Sequence, residues 1–370
     1  MSNQVRFHPS ADRLDEEFGF IDENQDEAAG SDCPDLTLTR LRPALISASA
    51  APAVAALLAG GLLELMSRSR IGVPLDRPNE RSLHSQPVPR SGGLAIMAGT
   101  LAAFVLLPAP MVLAAPALAL ACVSLADDWR GLPIALRFLA HALAAAAFVG
   151  LALGTLPWWQ QLVLVMVVIW MTNLYNFMDG SDGLAGGMTV LGFGFLGLAA
   201  LLANEVTTAL TGFCIAAAAL AFLLYNFHPA RIFMGDTGSI PLGFMAVALG
   251  LLGWHRGLWP LWYPAAVFSP FIVDASATLA RRILRGERFW EAHRSHYYQR
   301  LVQMGWGHRR TAVAEYVLML VCGVASLWAL GQPLYLQATI LLALAALFAC
   351  LAIAVDAAWR RATKASLETR

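Results

Sequence analysis

Eleven apolar runs, most of them close to 20 residues long, constrain this chain more than any other feature. They fall near 43–66, 92–108, 110–126, 134–153, 160–177, 188–203, 207–225, 238–254, 259–280, 312–330 and 335–357. A helix needs about 20 mostly apolar residues to cross the hydrocarbon core of a bilayer. Of the 370 residues, 58% are hydrophobic and 14% charged, with a mean hydropathy of +0.60. Soluble domains carry about 25% charged residues. The expectation is an all-α, polytopic integral membrane protein with about 10–11 transmembrane helices and little room for a soluble domain. Three regions follow: an acidic tail over 1–40, expected to be disordered, a transmembrane domain over 41–358, and a basic tail over 359–370.

Orientation is read from arginine and lysine in short loops, which favour the cytoplasmic side. With the N-terminus outside, Arg68, Arg70, Arg77, Arg81 and Arg90 fall inside, as do the segment from Arg281 to Arg310 and Arg360, Arg361, Lys364 and Arg370. The opposite loops are almost free of cations, Arg256 excepted. Every polar cluster then lies on the cytoplasmic face. No internal repeat is visible, which weighs against an inverted-repeat transporter. Cys33, Cys122, Cys214, Cys322 and Cys350 have no CxxC spacing and offer neither a zinc site nor a disulfide framework.

Five clusters carry chemistry. Asn173, Asn176, Asp179 and Asp182 recur every third residue after the apolar run Val163–Met171, among glycines. Acids at a membrane edge are costly and usually functional, and oxygen ligands suit Mg²⁺ or Mn²⁺ rather than zinc. The plainer reading is a polar helix cap. Asp127-Asp128 ends another run; the pair either binds a cation, with Arg130 and Arg137 nearby, or simply closes a helix. Asn226 through Phe233 to Gly235-Asp236-Thr-Gly-Ser239 suits a turn into a helix N-terminus, where backbone N–H groups cradle phosphate. Asp236 would then be a metal ligand, or only an N-cap. His293-Arg294-Ser-His296 could bind diphosphate or merely satisfy the charge rule. The loop Arg77–Gly93, including Arg90, is shaped by proline and glycine and could hold a lipid phosphate.

In this order the motifs resemble the WecA/MraY-like polyprenyl-phosphate N-acetylhexosamine-1-phosphate transferases (glycosyltransferase 4 family). The resemblance runs from about Leu62 to about Arg310. It rests on Pro-Asn-Glu-Arg-Ser-Leu-His…Pro-Arg-Ser-Gly-Gly, Asp127-Asp128, Asn-x-x-Asn-x-x-Asp-Gly-x-Asp-Gly, Phe-Met-Gly-Asp-Thr-Gly-Ser and His-x-x-His. It implies transfer of an N-acetylhexosamine-1-phosphate (GlcNAc, GalNAc, FucNAc or QuiNAc type) from a UDP-sugar to undecaprenyl phosphate, with release of UMP. Such a step starts O-antigen or related envelope polysaccharides at the bacterial inner membrane, with a cytoplasmic active site and Mg²⁺ or Mn²⁺. Relatives include homodimers; nucleic acid has no part. The resemblance nominates Asp127, Asp128 and Asp236 as catalytic, and Asp236 and Asn176 as metal ligands. It nominates Asn173, Asp179, Asp182, Asn226, Phe233, His293, Arg294, His296 and Arg90 for substrate. His293 and His296 are split by Arg-Ser, where the peptidoglycan branch has three consecutive histidines. This, with the Asn79-Glu80-Arg81-Ser82 loop, resembles the surface-polysaccharide subgroup. His141 stands where many relatives carry glutamine. The alternatives are a phospho-MurNAc-pentapeptide transferase and, from another class, a transporter or flippase.

Overall fold

The computed structural model describes residues 48–68, 75–76, 88–107, 111–288 and 293–368. The elements, in order, are α1 (Ala51–Arg68), β1 (Leu75–Asp76), β2 (Val88–Pro89), α2 (Gly92–Phe104), α3 (Met111–Arg130), α4 (Ile134–Ala152) and α5 (Trp158–Phe177). After these come α6 (Leu184–Leu202), α7 (Val206–Asn226), α8 (Asp236–His255), α9 (Trp262–Val267) and α10 (Ser269–Leu284). The chain ends with α11 (Tyr297–Leu301), a π-helical turn (Val302–Trp306), α12 (Gly307–Ala329) and α13 (Leu334–Glu368). Strands β1 and β2 form a two-residue antiparallel pair. The protein is an all-α polytopic membrane protein.

Each of the eleven apolar runs contains helix, but not every one is a full span. Among the described residues, nine helices are long and apolar enough to cross a membrane. The two exceptions have physical causes. Helix α2 has 13 residues: it starts at Gly92 with its apolar run and gives way at Val105–Leu107 to i→i−3 turns, just ahead of Pro108 in the sequence. The run 259–280 breaks at Phe268 into α9 and α10, where Pro264 and Pro270 each lack an N–H to continue a helix. Helix α3 continues past 126 and carries Asp127 and Asp128 in its last turn. Helix α13 likewise continues to Glu368, through most of the expected basic tail.

Helix α8 is the axis of the bundle: 89% of its apolar window is buried, against 6% for α13. Small residues let neighbours approach it closely. A Cβ on Gly243 would sit 2.6 Å from the Tyr175 Cβ of α5, and one on Gly250 2.7 Å from the Pro264 Cβ. The four described cysteines, Cys122, Cys214, Cys322 and Cys350, are free thiols.

Candidate active site

The described parts of all five clusters meet at one end of the bundle, around the N-terminus of α8. The segment Pro89–Gly93 runs beside Phe233–Met234 and pairs with it through the backbone. Phe233 N donates to Pro89 O (2.8 Å), Gly92 N to Phe233 O (2.9 Å) and Gly93 N to Met234 O (2.8 Å). Gly93 and Gly238 touch backbone to backbone; a Cβ on Gly238 would lie 2.5 Å from the Gly93 Cα. Gly235, at φ +73°, turns the chain into α8 in a conformation that glycine adopts readily. Arg90 is bridged to Phe233 and lies near Asp128 and Asp236. The rest of its loop, including Asn79, Glu80, Arg81, Ser82 and His84, falls outside the described residues.

Three carboxylates stand at this end. Asp127 Oδ1 accepts from the Leu132 N–H (2.6 Å), and its Oδ2 pairs with Arg137 Nη1 (2.9 Å). The same guanidinium nitrogen lies 3.8 Å from Asp236. Asp128 accepts from the Thr237 hydroxyl (2.8 Å), close enough to Asp236 for the two charges to repel. Asn176 contacts Asp236 and accepts the Ser239 hydroxyl at 2.7 Å. Asp236, Asp128 and Asn176 thus offer oxygen alone, with a local excess of negative charge. That donor set fits Mg²⁺, which takes one or two protein carboxylates and leaves its other positions to water and phosphate. Among the described residues, no three His, Cys, Asp or Glu side chains gather into a closed cage.

The three-residue spacing of Asn173, Asn176, Asp179 and Asp182 disperses these side chains. Asn173 donates to Ile169 O (2.7 Å) and meets buried His141. Asp179 is half-buried near Tyr298. Asp182 is buried, accepting from Ala230 N (3.2 Å) and pairing with His228 Nδ1 (2.7 Å). Asn226 is spent between loops: its Oδ1 accepts from Gly183 N (2.9 Å) and its Nδ2 donates to Ile232 O (3.0 Å). His308 reaches Ser181 (2.9 Å), and its ring stacks on that of His228. Asp182 and Asn226 therefore shape the wall by joining its loops, while Phe233 is half-buried within it.

The His293–His296 loop closes another side. Asp274 of α10 is buried and organises it, accepting from Tyr297 N (2.9 Å) and Tyr298 N (3.0 Å), with His296 Nδ1 at 3.3 Å. His296 is buried, and Tyr298 donates its hydroxyl to Phe177 O (3.1 Å). The rings of His293 and His296 lie 4.9 Å apart. Burial, then His296 and Arg282, push the His293 imidazole down to about 4. Arg294 is exposed. Sequence reasoning passed over Asp274, Thr237, His228 and the contacts of His308. A lone acid inside an apolar run was the available signal for Asp274.

The model of glycosyl transferase family 4 matches residues 110–253, which hold Asp127, Asp128, the Asn173–Gly187 stretch and Asp236. A probable undecaprenyl-phosphate N-acetylglucosaminyl 1-phosphate transferase of Bacillus subtilis is 30% identical over 273 residues, covering 68% of this chain and 76% of that protein. The undecaprenyl-phosphate alpha-N-acetylglucosaminyl 1-phosphate transferase of Yersinia pestis is 28% identical over 317 residues, 79% of this chain and 86% of its own. A phospho-N-acetylmuramoyl-pentapeptide-transferase of Moorella thermoacetica is 33% identical over 178 residues, 47% of this chain and 54% of its own. With its motifs assembled at one end of an all-α membrane bundle, the chain belongs to glycosyl transferase family 4.

Proposed function

We propose that this enzyme transfers an N-acetylhexosamine-1-phosphate from a UDP-sugar to undecaprenyl phosphate, releasing UMP. The transfer takes place at the cytoplasmic face of the bacterial inner membrane and starts a lipid-linked O-antigen or related envelope polysaccharide. The observation that carries this reading is the convergence of Asp127, Asp128 and Asp236 with Arg90 and Arg137 at one bundle end. The Bacillus and Yersinia relatives, whose names state N-acetylglucosaminyl 1-phosphate transfer, favour an N-acetylated hexosamine of GlcNAc, GalNAc, FucNAc or QuiNAc type.

Asp236 and Asn176 would hold Mg²⁺ or Mn²⁺, which when bound supplies charge neutralisation at the diphosphate. Arg90 and Arg137 orient phosphate oxygens. Asn173 on the last turns of α5, with Asp179 and Phe233 on loops fixed by Asp182 and Asn226, lines the nucleotide side, while His293, Arg294 and His296 face the diphosphate and sugar. A phosphate monoester has a second pKa near 6, so the acceptor is mostly a dianion at neutral pH and needs no base. An acceptor oxygen attacks the β-phosphorus, the bond to the bridging oxygen breaks, and UMP leaves with the electron pair. Asp127, with both oxygens engaged by Leu132 and Arg137, acts here by positioning Arg137. Asp128 helps to hold the acceptor phosphate or the metal.

The test is UMP release by purified protein with Mg²⁺, undecaprenyl phosphate and a panel of UDP-N-acetyl sugars, beside Asp236→Asn. Release with one UDP-hexosamine, lost in the variant, is expected. Release only with UDP-MurNAc-pentapeptide assigns the peptidoglycan reaction instead, and no release with any donor refutes the proposal. UMP exchange into the UDP-sugar without acceptor would point to a covalent Asp127 intermediate.

A further inference from the structure

Behind the His293–His296 loop, between α10, α11, α12 and α13, lies a cavity of about 610 Å³ that the transfer reaction leaves unused. Ligand sites commonly hold about 300–1,000 Å³, with apolar walls and a few placed polar groups. Leu301, Met304, Leu318, Phe348, Leu351 and Val355 supply much of the apolar wall. Of the polar groups, Asp274 is spent on Tyr297, Tyr298, Thr278 and His296. Glu315 is different. Among the described residues it has no hydrogen-bond or ion-pair partner, and its one recorded charged neighbour is the like charge of Asp274. An unpaired carboxyl in an apolar membrane cavity is costly and calls for a partner.

Height and charge narrow that partner. Tyr316, next to Glu315, donates to Gly183 O (2.7 Å) at the start of α6, so the cavity lies at the same bundle end as the carboxylates. That end is cationic. Arg281 and Arg300 share Asp356 (2.6 and 3.0 Å) and flank Tyr297, which is itself part of the wall. Arg361 follows Ala358, another wall residue, by one turn of α13. Most of α13 faces away from protein, so the cavity borders the bilayer along that helix.

We propose that this cavity binds an aminophospholipid of the bilayer: a phosphodiester bearing a primary ammonium and acyl chains. The ammonium meets Glu315, the phosphate meets Arg361, which adjoins the wall residues Ala358 and Ala362 on α13, and one acyl chain fills the apolar volume. This does not depend on the transferase reading.

The test uses the full chain in phosphatidylcholine nanodiscs, with phosphatidylethanolamine carrying a photoactivatable acyl chain, and maps the adducts on peptides. Adducts are expected on 301–318 and 348–362, with unlabelled phosphatidylethanolamine competing about tenfold better than phosphatidylcholine or phosphatidylglycerol, the worth of one charge-assisted hydrogen bond. Glu315→Gln should erase that preference. Ala352→Phe and Ala358→Phe should remove the adducts by filling the space; each variant's unfolding transition is recorded, and the two guard against one failing to fold. Adducts spread evenly over the lipid-facing helices, equal competition by the other phospholipids, or a preference surviving in Glu315→Gln would overturn the proposal. So would stronger competition by a polyprenyl phosphate, which would make the cavity an acceptor-tail site.

Discussion

Gly93→Ala places one methyl group where two helix N-termini cross. The new Cβ would lie 2.8 Å from Met234 O and closer still to the backbone of Gly238. None of these atoms belongs to a side chain that can rotate away. Ordinary carbon contacts sit near 3.5–4.0 Å, so the two segments must part by about 1 Å. The hydrogen bonds from Gly92 to Phe233 and from Gly93 to Met234 cannot survive that intact. Each contributes about 1 kcal/mol, and overpacking strain adds about 1–3 kcal/mol. The expected destabilisation is therefore about 3–5 kcal/mol. The parting also moves Arg90 away from Asp128 and Asp236, and a 1 Å misplacement costs about 100-fold in rate. The assay is UMP release on protein whose unfolding transition is recorded alongside. Gly150→Ala serves as the control, because its Cβ would meet nothing within 4 Å. It should stay within about 1 kcal/mol of the parent. Undiminished UMP release by Gly93→Ala would refute the close-crossing argument.

Arg137→Met removes the shared partner of Asp127 and Asp236. Breaking a mostly buried pair from one side costs about 3–5 kcal/mol, and UMP release should fall by at least about 100-fold with the loss of charge stabilisation. Adding Asp127→Asn should recover much of the stability, by denaturant titration, without recovering activity. Burial pushes the His293 imidazole down to about 4 in the folded protein, below the ordinary 6.5. In the donor-free protein the unfolded chain therefore binds the extra proton first, so stability present above about pH 6.5 is lost as pH falls towards 4. His293→Gln should flatten that part of the melting temperature profile; an unchanged slope would show that the imidazole is not held neutral.

The sequence was most legible where one physical rule acts alone. Length and apolarity located all eleven helical regions, and Asp127-Asp128 and Asp236 stood out because acids beside apolar runs are rare. The rest depended on tertiary contacts that spacing does not encode. Asn173, Asn176, Asp179 and Asp182 were divided between metal and substrate without a sign of where each points; α5 ends at Phe177 and the chain turns at Gly183, so the four side chains part. Asn226 and Asp182 read as ligand contacts; spacing gave no sign that they also tie loops together, through backbone groups and histidines up to 126 positions away in the chain. The break near Phe268 was hidden because the run 259–280 stays apolar through its prolines. Asp274 was overlooked as a single acid in that run, although the whole His296 loop hangs on it.

The pairing of Arg90 with Phe233 also bears on the order in which the protein is made. Roughly 140 residues separate these two positions, so at ordinary synthesis rates they emerge on the order of ten seconds apart. Asp127 and Arg137 can pair within one early helix hairpin, keeping that carboxylate compensated while later helices enter the membrane. The opposite wall must wait for α8, and the His296 loop for α10 and α11. A partly synthesised chain therefore carries Asp127 compensated but has no complete site, and competence arrives only when the last third of the polypeptide has been inserted.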